Sequence, residues 1–325
     1  MTSTTMLAAI NATLREEMAR DDRVMVLGQD VATLGGVFRA TDGLLDQFGP
    51  DRVVDMPLAE AAIVGASIGL AAAGLIPVAE LQFLGFSHQA FHQIGPQLAR
   101  MRYRSQGRFP MPVVLRAPFG GGVRTPELHS EAIEAQFVQS PGLQIAMPAT
   151  PADAKGLLQT AVRQSDPVLF CEPLRGYRLV RGEVPDGDAD VPFGRLRVAR
   201  DGEDLTIVAW SAAVQVAERA AEQLAEERIS AAVLDLRTLV PLDESGIADA
   251  VAATGRCLVV HEAPLTGGFG AEVIATINDH AFYSLEAPVA RVCAPDTPYP
   301  PARIEDHYVP AVQRVVAAAR AMVKA

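Results

Sequence analysis

Residues 53–79 read VVDMPLAEAAIVGASIGLAAAGLIPVA, two short apolar segments joined by a run of small residues. The apolar segments, Val53–Val54 and Ile76–Ala79, predict buried strands, and Glu60–Ala73 predicts a helix that ends at Gly74. Successive strands connected through a helix lie parallel in one sheet, and helices cover the faces of such a sheet. These residues therefore predict an α/β fold built on a parallel sheet.

Strand and helix patterns alternate in the same way on both sides of this segment. Further strands are predicted at Val24–Leu27, Val113–Leu115, Leu143–Met147 and Val168–Cys171, and further helices at Thr4–Arg20, Ser87–Arg104 and Pro151–Gln164. Residues 173–204 are irregular, after which the alternation restarts. We therefore predict two domains, each with a mainly parallel sheet covered by helices: residues 1–185, a linker at 186–204, and residues 205–325.

Composition narrows the class of protein and of partner. The 325 residues are 49% hydrophobic and 21% charged, and a net charge of −11 without any Lys/Arg-rich run argues against nucleic acid as a partner. Residues 61–79 carry no charge, but three glycines and Pro77 interrupt them, so we predict no membrane span. The three cysteines are widely spaced and odd in number, which is typical of a reducing compartment and predicts a cytoplasmic protein.

Two positions carry side chains that could do chemistry. Glu60 opens a helix of small uncharged residues. The helix dipole is a sufficient structural reason for it, yet its apolar surroundings imply burial, and a buried carboxylate needs a partner. The segment Gly120-Gly121-Gly122 follows a predicted strand, and His129 lies on the polar loop beyond it, at the edge where open sheets bind ligands. A ligand-binding loop and an ordinary surface loop both fit that segment.

Two histidines invite a metal-binding interpretation. His88 and His92 stand four residues apart on a predicted helix, which is a spacing found in metal sites. Gln89 occupies the place of the glutamate in a zincin motif, and the sequence offers no evident third ligand. We therefore expect no metal at these histidines.

Nine short strings form an ordered set along the chain. They are LGQDV (27–31), GGVFR (35–39), RYRS (102–105), PFGGGV (118–123), TPELH (125–129), DAKGLL (153–158), DLRTL (235–239), HEAP (261–264) and DTPYP (296–300). In these strings and their spacings, from about residue 4 to residue 320, the chain resembles the beta subunit of the 2-oxo acid dehydrogenase first component.

The resemblance implies a transketolase-like pyrimidine-binding domain followed by the transketolase C-terminal domain. It implies an oxidoreductase that decarboxylates a small-molecule 2-oxo acid, either pyruvate or a branched-chain acid. The enzyme would then reductively acylate the lipoyl group of the acyltransferase second component. It also implies thiamine diphosphate, shared with an alpha subunit in a heterotetramer of two alpha and two beta chains.

The alpha chain of this family holds the diphosphate and its magnesium through a GDG motif and a downstream Asn. This sequence has no GDG, and its only asparagines are Asn11 and Asn278. The resemblance therefore implies a beta subunit that is active only with its alpha partner.

The resemblance also assigns site residues. The Glu60 carboxylate would accept a hydrogen bond from the N1′ position of the aminopyrimidine ring, which favours the tautomer that removes the thiazolium proton. Phe86 matches the position that packs on the pyrimidine, and Gln82 lies four residues earlier on the same approach. His129 matches the histidine placed near the acyl group during its transfer to the lipoyl group.

Two further features of the family have counterparts here. A structural potassium ion would match the positions Val113, Ala161, Val162, Gln164 and Asp166, where relatives often carry Asp in place of the glutamine. In pyruvate-type relatives, acids line a tunnel between two distant cofactors. The matching residues Gln29, Gln89 and His92 carry no carboxylate, which puts proton coupling between sites in question.

Alternatives stay open. The chain could be the beta subunit of an acetoin dehydrogenase or a non-catalytic scaffold paralogue, and a self-sufficient transketolase or synthase is disfavoured because the diphosphate-binding domain is missing. A scaffold predicts that Glu60→Ala leaves the assembled complex functional, whereas an enzyme predicts loss of decarboxylation. For docking of the second component, Glu305, Asp306 and the terminal carboxylate of Ala325 are candidate surface acids.

Overall fold

The computed structural model describes residues 3–324. The fourteen strands within them are β1 (Ser3–Thr5), β2 (Val24–Gly28), β3 (Val53–Asp55), β4 (Ile76–Glu80), β5 (Val114–Phe119), β6 (Gln144–Ala146), β7 (Val168–Pro173), β8 (Arg181–Glu183), β9 (Arg197–Arg200), β10 (Leu205–Ala209), β11 (Ala231–Asp235), β12 (Thr238–Val240), β13 (Cys257–Pro264) and β14 (Ala290–Ala294).

Twelve α-helices lie within the same residues. They are α1 (Met6–Arg20), α2 (Leu44–Phe48), α3 (Glu60–Ala72), α4 (Arg100–Arg104), α5 (Ala135–Val138), α6 (Pro151–Arg163), α7 (Gly176–Leu179), α8 (Ala212–Glu226), α9 (Glu244–Thr254), α10 (Gly270–Ala281), α11 (Glu305–Tyr308) and α12 (Val312–Val323). Shorter 3₁₀ segments lie at Leu84–Ala90, Glu127–His129, Phe282–Ser284 and Ala302–Ile304, and a π-helical segment lies at Gln93–Ala99.

The first sheet has seven strands in the order β12-β6-β7-β5-β4-β2-β3. All neighbours pair in parallel except β12, which runs antiparallel to β6. Every residue of β2, β4, β5 and β7 is buried, because helices cover both faces. α1 and α6 pack against each other on one face, and α3 contributes to the core on the other.

The second sheet has five strands in the order β14-β13-β10-β11-β9, parallel except for β9 at its edge. α8 and α12 pack together on one face, and α9 and α10 contact each other on the other. Both sheets are therefore mainly parallel and covered by helices, which confirms the predicted fold class.

Residues 173–204 are more ordered than the sequence predicts. They contain α7, β8 and β9, and β9 lies inside the stretch predicted as a linker. β8 pairs antiparallel with β1, and β9 pairs with β11. The partners of both strands are distant in sequence, and half-exposed edge strands lack the continuous apolar run that marks a buried strand. The domain bounds themselves stay a prediction.

The predicted helix Ser87–Arg104 is helical but not a regular α-helix. A 3₁₀ segment ends at Ala90, the π-helical segment Gln93–Ala99 follows, and α4 closes the run. Pro96 lies inside the π-helical part. Proline cannot donate an i→i−4 hydrogen bond and its ring clashes with the preceding turn, so the backbone widens locally instead of continuing as an α-helix.

None of the helices within residues 3–324 combines the length and the apolar character needed to cross a membrane.

Candidate functional site

The candidate site lies at the carboxyl edge of the first sheet. α3, which begins at Glu60, packs against the segment Leu84–Ala90 that follows β4, and this segment packs against Glu127–His129 beyond β5. In a parallel sheet these connections leave from the same edge, where such sheets bind ligands. The three contacting elements therefore bring Glu60, Phe86 and His129 into one region of the molecule.

Glu60 keeps a free carboxylate oxygen in a buried place. The residue is 5% exposed, and its Oε2 has no hydrogen-bond partner among residues 3–324. It is the first residue of α3, so the positive end of the helix dipole favours its negative charge. A buried polar atom without a partner is costly, so this oxygen is placed to accept a hydrogen bond from a ligand or another chain.

Phe83, Phe86 and His129 form an aromatic cluster. The centroid of the His129 ring lies 4.4 Å from that of Phe83 and 5.0 Å from that of Phe86, both in edge-to-face contact. Nδ1 of His129 is buried and has no hydrogen-bond partner among residues 3–324. The two phenyl rings thus orient the imidazole while one of its nitrogens stays free.

Gly85 lets this cluster form. A Cβ at this position would lie 2.1 Å from the carbonyl oxygen of Leu128, so any larger residue would push the His129 segment away. The contact joins the segment that carries Phe86 to the segment that carries His129. Two segments about forty residues apart in sequence therefore come into backbone contact, and only glycine permits an approach this close.

Gln82 lies on the same edge and ties two of its loops together. Its Nε2 donates to Oδ2 of Asp30 at 3.2 Å. Asp30 follows β2 with a φ of 60°, so the loop after β2 turns back toward the loop after β4. The amide of Gln82 is thereby held in place beside the aromatic cluster.

A network of buried ion pairs joins three strands of the first sheet next to the candidate site. Arg116 of β5 is fully buried and binds Glu80 of β4 at 2.8 Å and Glu172 of β7 at 2.7 and 2.9 Å. Tyr177 donates its hydroxyl to Glu172. Burial raises the pKa of Glu80, against the opposing charge of Arg116. These ion pairs therefore connect β4, β5 and β7, which are neighbours in the sheet.

The three residues matched to the tunnel acids differ in exposure. Gln89 and His92 are exposed, and Gln29 is half-buried. His92 contacts Gln97 at 3.3 Å, and His88 contacts Gln136 at 2.9 Å. Within the described part of the chain, no three His, Cys, Asp or Glu side chains are grouped as metal ligands.

The positions matched to potassium lie at the opposite, amino edge of the first sheet. Val113 precedes β5, Asp166 precedes β7, and the others belong to the end of α6. Both carboxylate oxygens of Asp166 accept from Nη1 of Arg102, at 2.7 and 2.8 Å. Nε2 of Gln164 donates to Gln144 at 2.8 Å. The two polar side chains of the set are therefore engaged with the protein itself.

The second half of the chain adds two carboxylates that the sequence analysis did not assign to the site. The backbone N–H of Gly121 donates to Glu262 at 3.1 Å, and that of Gly122 donates to Glu305 at 3.0 Å. Burial raises the pKa of Glu262 to about 7, although the Gly121 N–H and the Arg175 charge oppose the rise. The glycine-rich loop is thus hydrogen-bonded to two acids from the second half of the chain, Glu262 in β13 and Glu305 in α11.

The role expected for Glu305 as a surface acid is wrong. Its side chain is 1% exposed because it lies under the glycine-rich loop. The neighbouring Asp306 is exposed and pairs with Arg124 at 2.8 Å. Ala325 lies outside the described residues. Nothing local marks Glu305 as buried, since Arg303, Asp306 and His307 lie close to it in sequence and the loop that buries it comes from the first half of the chain.

The site fits an aromatic cofactor with polar edges. A free buried carboxylate oxygen on Glu60 can accept one hydrogen bond, and the half-buried ring of Phe86 offers an apolar edge nearby. The free Nδ1 of His129 provides a second polar atom beside that ring. An aminopyrimidine ring needs this combination of an acceptor and an aromatic contact.

Family models and known proteins match the chain over most of its length. The model of the transketolase pyrimidine-binding domain matches residues 2–179, and that of the transketolase C-terminal domain matches residues 194–315. The chain is 48% identical, over 98% of both chains, to a Bacillus subtilis protein named pyruvate dehydrogenase E1 component subunit beta. It is 50% identical, over 90% of both, to the 2-oxoisovalerate dehydrogenase subunit beta of the same organism.

Solved structures agree with this similarity. The fold matches that of a split gene transketolase described as an inactive beta4 tetramer, with a TM-score of 0.81 and 25% identity over 98% of each chain. Both the sequence and the architecture of the two sheets are thus similar to transketolase-like proteins.

Proposed function

The chain belongs to the transketolase-like beta subunits of the 2-oxo acid dehydrogenase first component, and on that premise we propose that Glu60, Phe86 and His129 form its half of a thiamine diphosphate site. Members of this family are oxidoreductases of the 2-oxo acid dehydrogenase complexes, as the sequence resemblance predicted. We base the site assignment on the free, buried Oε2 of Glu60, which lies within the matched pyrimidine-binding domain.

Glu60 is proposed to hold the aminopyrimidine ring through its free oxygen. Thiamine diphosphate, when bound, supplies a carbon nucleophile and an electron sink for the decarboxylation of a 2-oxo acid. The carboxylate orients the ring and sets its protonation at N1′, and the aromatic ring of Phe86 packs against it. Gln82, fixed by Asp30, lines the same approach.

We propose an alpha subunit as the partner that completes the site and holds the diphosphate and magnesium, since the chain has no GDG motif. Large apolar side chains stand exposed next to both candidate residues: Leu58, 69% exposed, precedes Glu60, and Leu128, 49% exposed, precedes His129. Apolar surface beside a site is typical of an interface. An alpha chain in a two-alpha, two-beta heterotetramer would cover it.

His129 is proposed to assist acyl transfer to the lipoyl group of the acyltransferase second component. Its ring is oriented by Phe83 and Phe86, and its Nδ1 is free to exchange a hydrogen bond or a proton. An imidazole beside the position proposed for the cofactor supports this acid–base role. The histidine therefore acts in the second half of the reaction.

The substrate is a 2-oxo acid of the pyruvate or branched-chain class. The identity to the pyruvate-type relative is 48%, and that to the 2-oxoisovalerate-type relative is 50% over a shorter match. The two identities are nearly equal, so they favour neither substrate. Part of the substrate pocket is also proposed to come from the alpha chain.

Potassium fits the residues present poorly. The carboxylate of Asp166 is neutralised by Arg102, and the side chain of Gln164 binds Gln144. A cation would have to displace the Arg102 guanidinium to use that carboxylate.

A cytoplasmic location is proposed from the cysteines. Cys171, Cys257 and Cys293 are buried free thiols. Burial raises the pKa of Cys257 to about 12, so its thiol is unreactive. Unpaired buried thiols suit a reducing compartment.

The function is tested with Glu60→Gln in the complex with the alpha subunit. The amide keeps the size of the side chain but loses its charge, so decarboxylation with an artificial electron acceptor is expected to fall by about a hundredfold or more. The matched control is Glu244→Gln, which changes the first residue of α9, an exposed glutamate. Its activity is expected to stay unchanged.

Association with the alpha subunit is measured in parallel by size-exclusion chromatography. Full decarboxylation by an assembled Glu60→Gln complex would contradict the proposed role and favour the scaffold interpretation.

A further inference from the structure

The buried carboxylate of Glu305 accepts hydrogen bonds from the backbone of the glycine-rich loop that leads to His129. Glu305 of α11 accepts the N–H of Gly122 at 3.0 Å and that of Arg124 at 3.2 Å on each of its two oxygens. Hydrogen bonds to an ionised acceptor in a buried place are among the stronger ones in proteins. The start of the loop is therefore held from the second half of the chain.

Tyr299 completes this anchor. Its hydroxyl donates to Oε1 of Glu305 at 2.6 Å. The same hydroxyl lies against the loop, since a Cβ on Gly121 would come within 2.1 Å of it. Burial raises the pKa of this hydroxyl well above its usual value, so it stays protonated as a hydrogen-bond donor. Tyr299 thus joins Glu305 to the start of the loop.

Residues 125–130 form a closed turn on this anchor. The hydroxyls of Thr125 and Ser130 lie 2.5 Å apart, and the N–H of His129 donates to the carbonyl of Pro126 at 3.0 Å. A closed turn moves as a unit, so the position of its first residue decides where His129 points. The first residue follows Arg124 directly, and the N–H of Arg124 binds Glu305.

We propose that Glu305, with Tyr299, is a positioning residue that sets the His129 turn for acyl transfer. This inference rests on the proposed function and adds to it a requirement for the second half of the chain. Glu305 touches neither Glu60 nor the aromatic cluster through any of its hydrogen bonds in residues 3–324. We therefore expect the loss of Glu305 to slow acyl transfer, the step proposed for His129, and to leave the decarboxylation proposed to depend on Glu60 largely intact.

The first test is Tyr299→Phe, measured in the assembled complex. Phenylalanine keeps the buried ring and removes only the hydroxyl. Reductive acylation of a free lipoyl domain is expected to fall by about tenfold in kcat, since a hydrogen bond to a charged group is lost. Decarboxylation with an artificial electron acceptor and the KM for the 2-oxo acid are expected to stay within about twofold of the parent values.

Tyr308→Phe is the matched control. Tyr308 packs on Tyr299 at a ring distance of 4.8 Å, but among residues 3–324 its hydroxyl hydrogen-bonds only to the carbonyl of Thr297, at 3.5 Å. The rates of acyl transfer and of decarboxylation in this control are both expected to match those of the parent.

Glu305→Gln is the second variant, because an amide group cannot accept hydrogen bonds at both ends. Its acyl transfer is expected to fall at least as far as that of Tyr299→Phe.

The His129→Ala background separates positioning from general structural damage. Because Tyr299 acts through His129, adding Tyr299→Phe to His129→Ala should lower acyl transfer no further. Losses that multiply would overturn the proposal, as would unchanged acyl transfer in Tyr299→Phe and Glu305→Gln. Normal acyl transfer in His129→Ala alone would remove the proposed role of the histidine and this inference with it. Normal decarboxylation in Glu60→Gln would instead contradict the cofactor site.

Discussion

His261 is an ionisable residue buried without a hydrogen-bond partner. Its side chain is fully buried, it stacks on Trp210 with ring planes 9° apart, and neither ring nitrogen has a partner of good geometry within residues 3–324. Burial, with the positive charge of Arg291, lowers the pKa of His261 to about 4 from the usual 6.5. The residue is therefore neutral in the folded chain.

This burial gives a pH dependence of stability with a definite sign. Between pH 6.5 and pH 4 the unfolded chain binds a proton at His261 and the folded chain does not. The free energy of unfolding therefore falls, by about 1.4 kcal/mol per pH unit from this one group, as pH falls through that window. His261→Met removes the titration, so urea melts of the variant between pH 6.5 and pH 4 should show a shallower loss of stability.

His280→Met is the matched control for that measurement. His280 is 51% exposed on α10 and pairs with Glu244 at 3.4 Å. Its removal should leave the pH slope close to that of the parent. An unchanged slope in His261→Met would show that His261 is protonated in the folded chain as readily as in the unfolded one.

At the scale of elements, the segments on either side of Phe86 are shaped by backbone contact. The 3₁₀ segment Leu84–Ala90 meets Glu127–His129 at Gly85, where no side-chain atom fits. The π-helical segment that contains Pro96 follows, and it leads directly into α4. The aromatic cluster therefore depends on irregular helical geometry that a regular α-helix would not provide.

Gly85→Ala is expected to disturb the site without disturbing the sheet. The new Cβ would meet the Leu128 carbonyl at 2.1 Å, so the His129 segment must shift. A displacement near 1 Å in a site costs on the order of a hundredfold in rate, and we expect that loss in acyl transfer to a lipoyl domain. Circular dichroism should show the same secondary structure as the parent.

Gly182→Ala serves as the control substitution. A Cβ at Gly182 in β8 would lie 3.4 Å from Pro151, an ordinary contact. Acyl transfer should be unaffected there. If Gly85→Ala were as active as the parent, the close approach to Leu128 would not position His129.

At the scale of the whole molecule, the two halves of the chain share one core. β12 leaves the second half and pairs with β6 of the first sheet. Asp153 on α6 binds Arg237 at 2.7 Å and Arg197 at 3.4 Å. One cluster of buried apolar residues extends from Leu27 in the first sheet to Ile277 in α10. The halves are therefore expected to unfold together.

Leu239→Ala tests this coupling. Leu239 lies in β12 and is 1% exposed, within the shared core. Removing three buried carbon atoms should cost about 2–5 kcal/mol of unfolding free energy. Differential scanning calorimetry should show a single transition that moves to lower temperature.

Leu179→Ala is the corresponding control, since Leu179 is 76% exposed, and its transition should stay within about 1–2 °C of the parent. Two separate transitions in Leu239→Ala, with only one of them shifted, would show that the halves unfold independently.

Local pattern was sufficient for much of the fold. The apolar runs at β2, β4, β5 and β7 marked buried strands, and α3 begins at Glu60 and stops one residue short of its predicted end. These elements are determined locally because a strand buried on both faces must be apolar at every residue. Family resemblance then identified Glu60, Phe86 and His129 as site residues, an assignment that stays a proposal.

Tertiary structure alone decided the features that depend on distant partners. β12 is three residues long and is recognisable only beside β6, and the burial of Glu305 depends on a glycine-rich loop from the other half of the chain. The geometry of His129 depends on Phe83, Gly85 and the turn closed by Ser130. A sequence pattern records what each segment must bury, whereas the identity of the group that covers a charge or a glycine is settled only when the chain has folded.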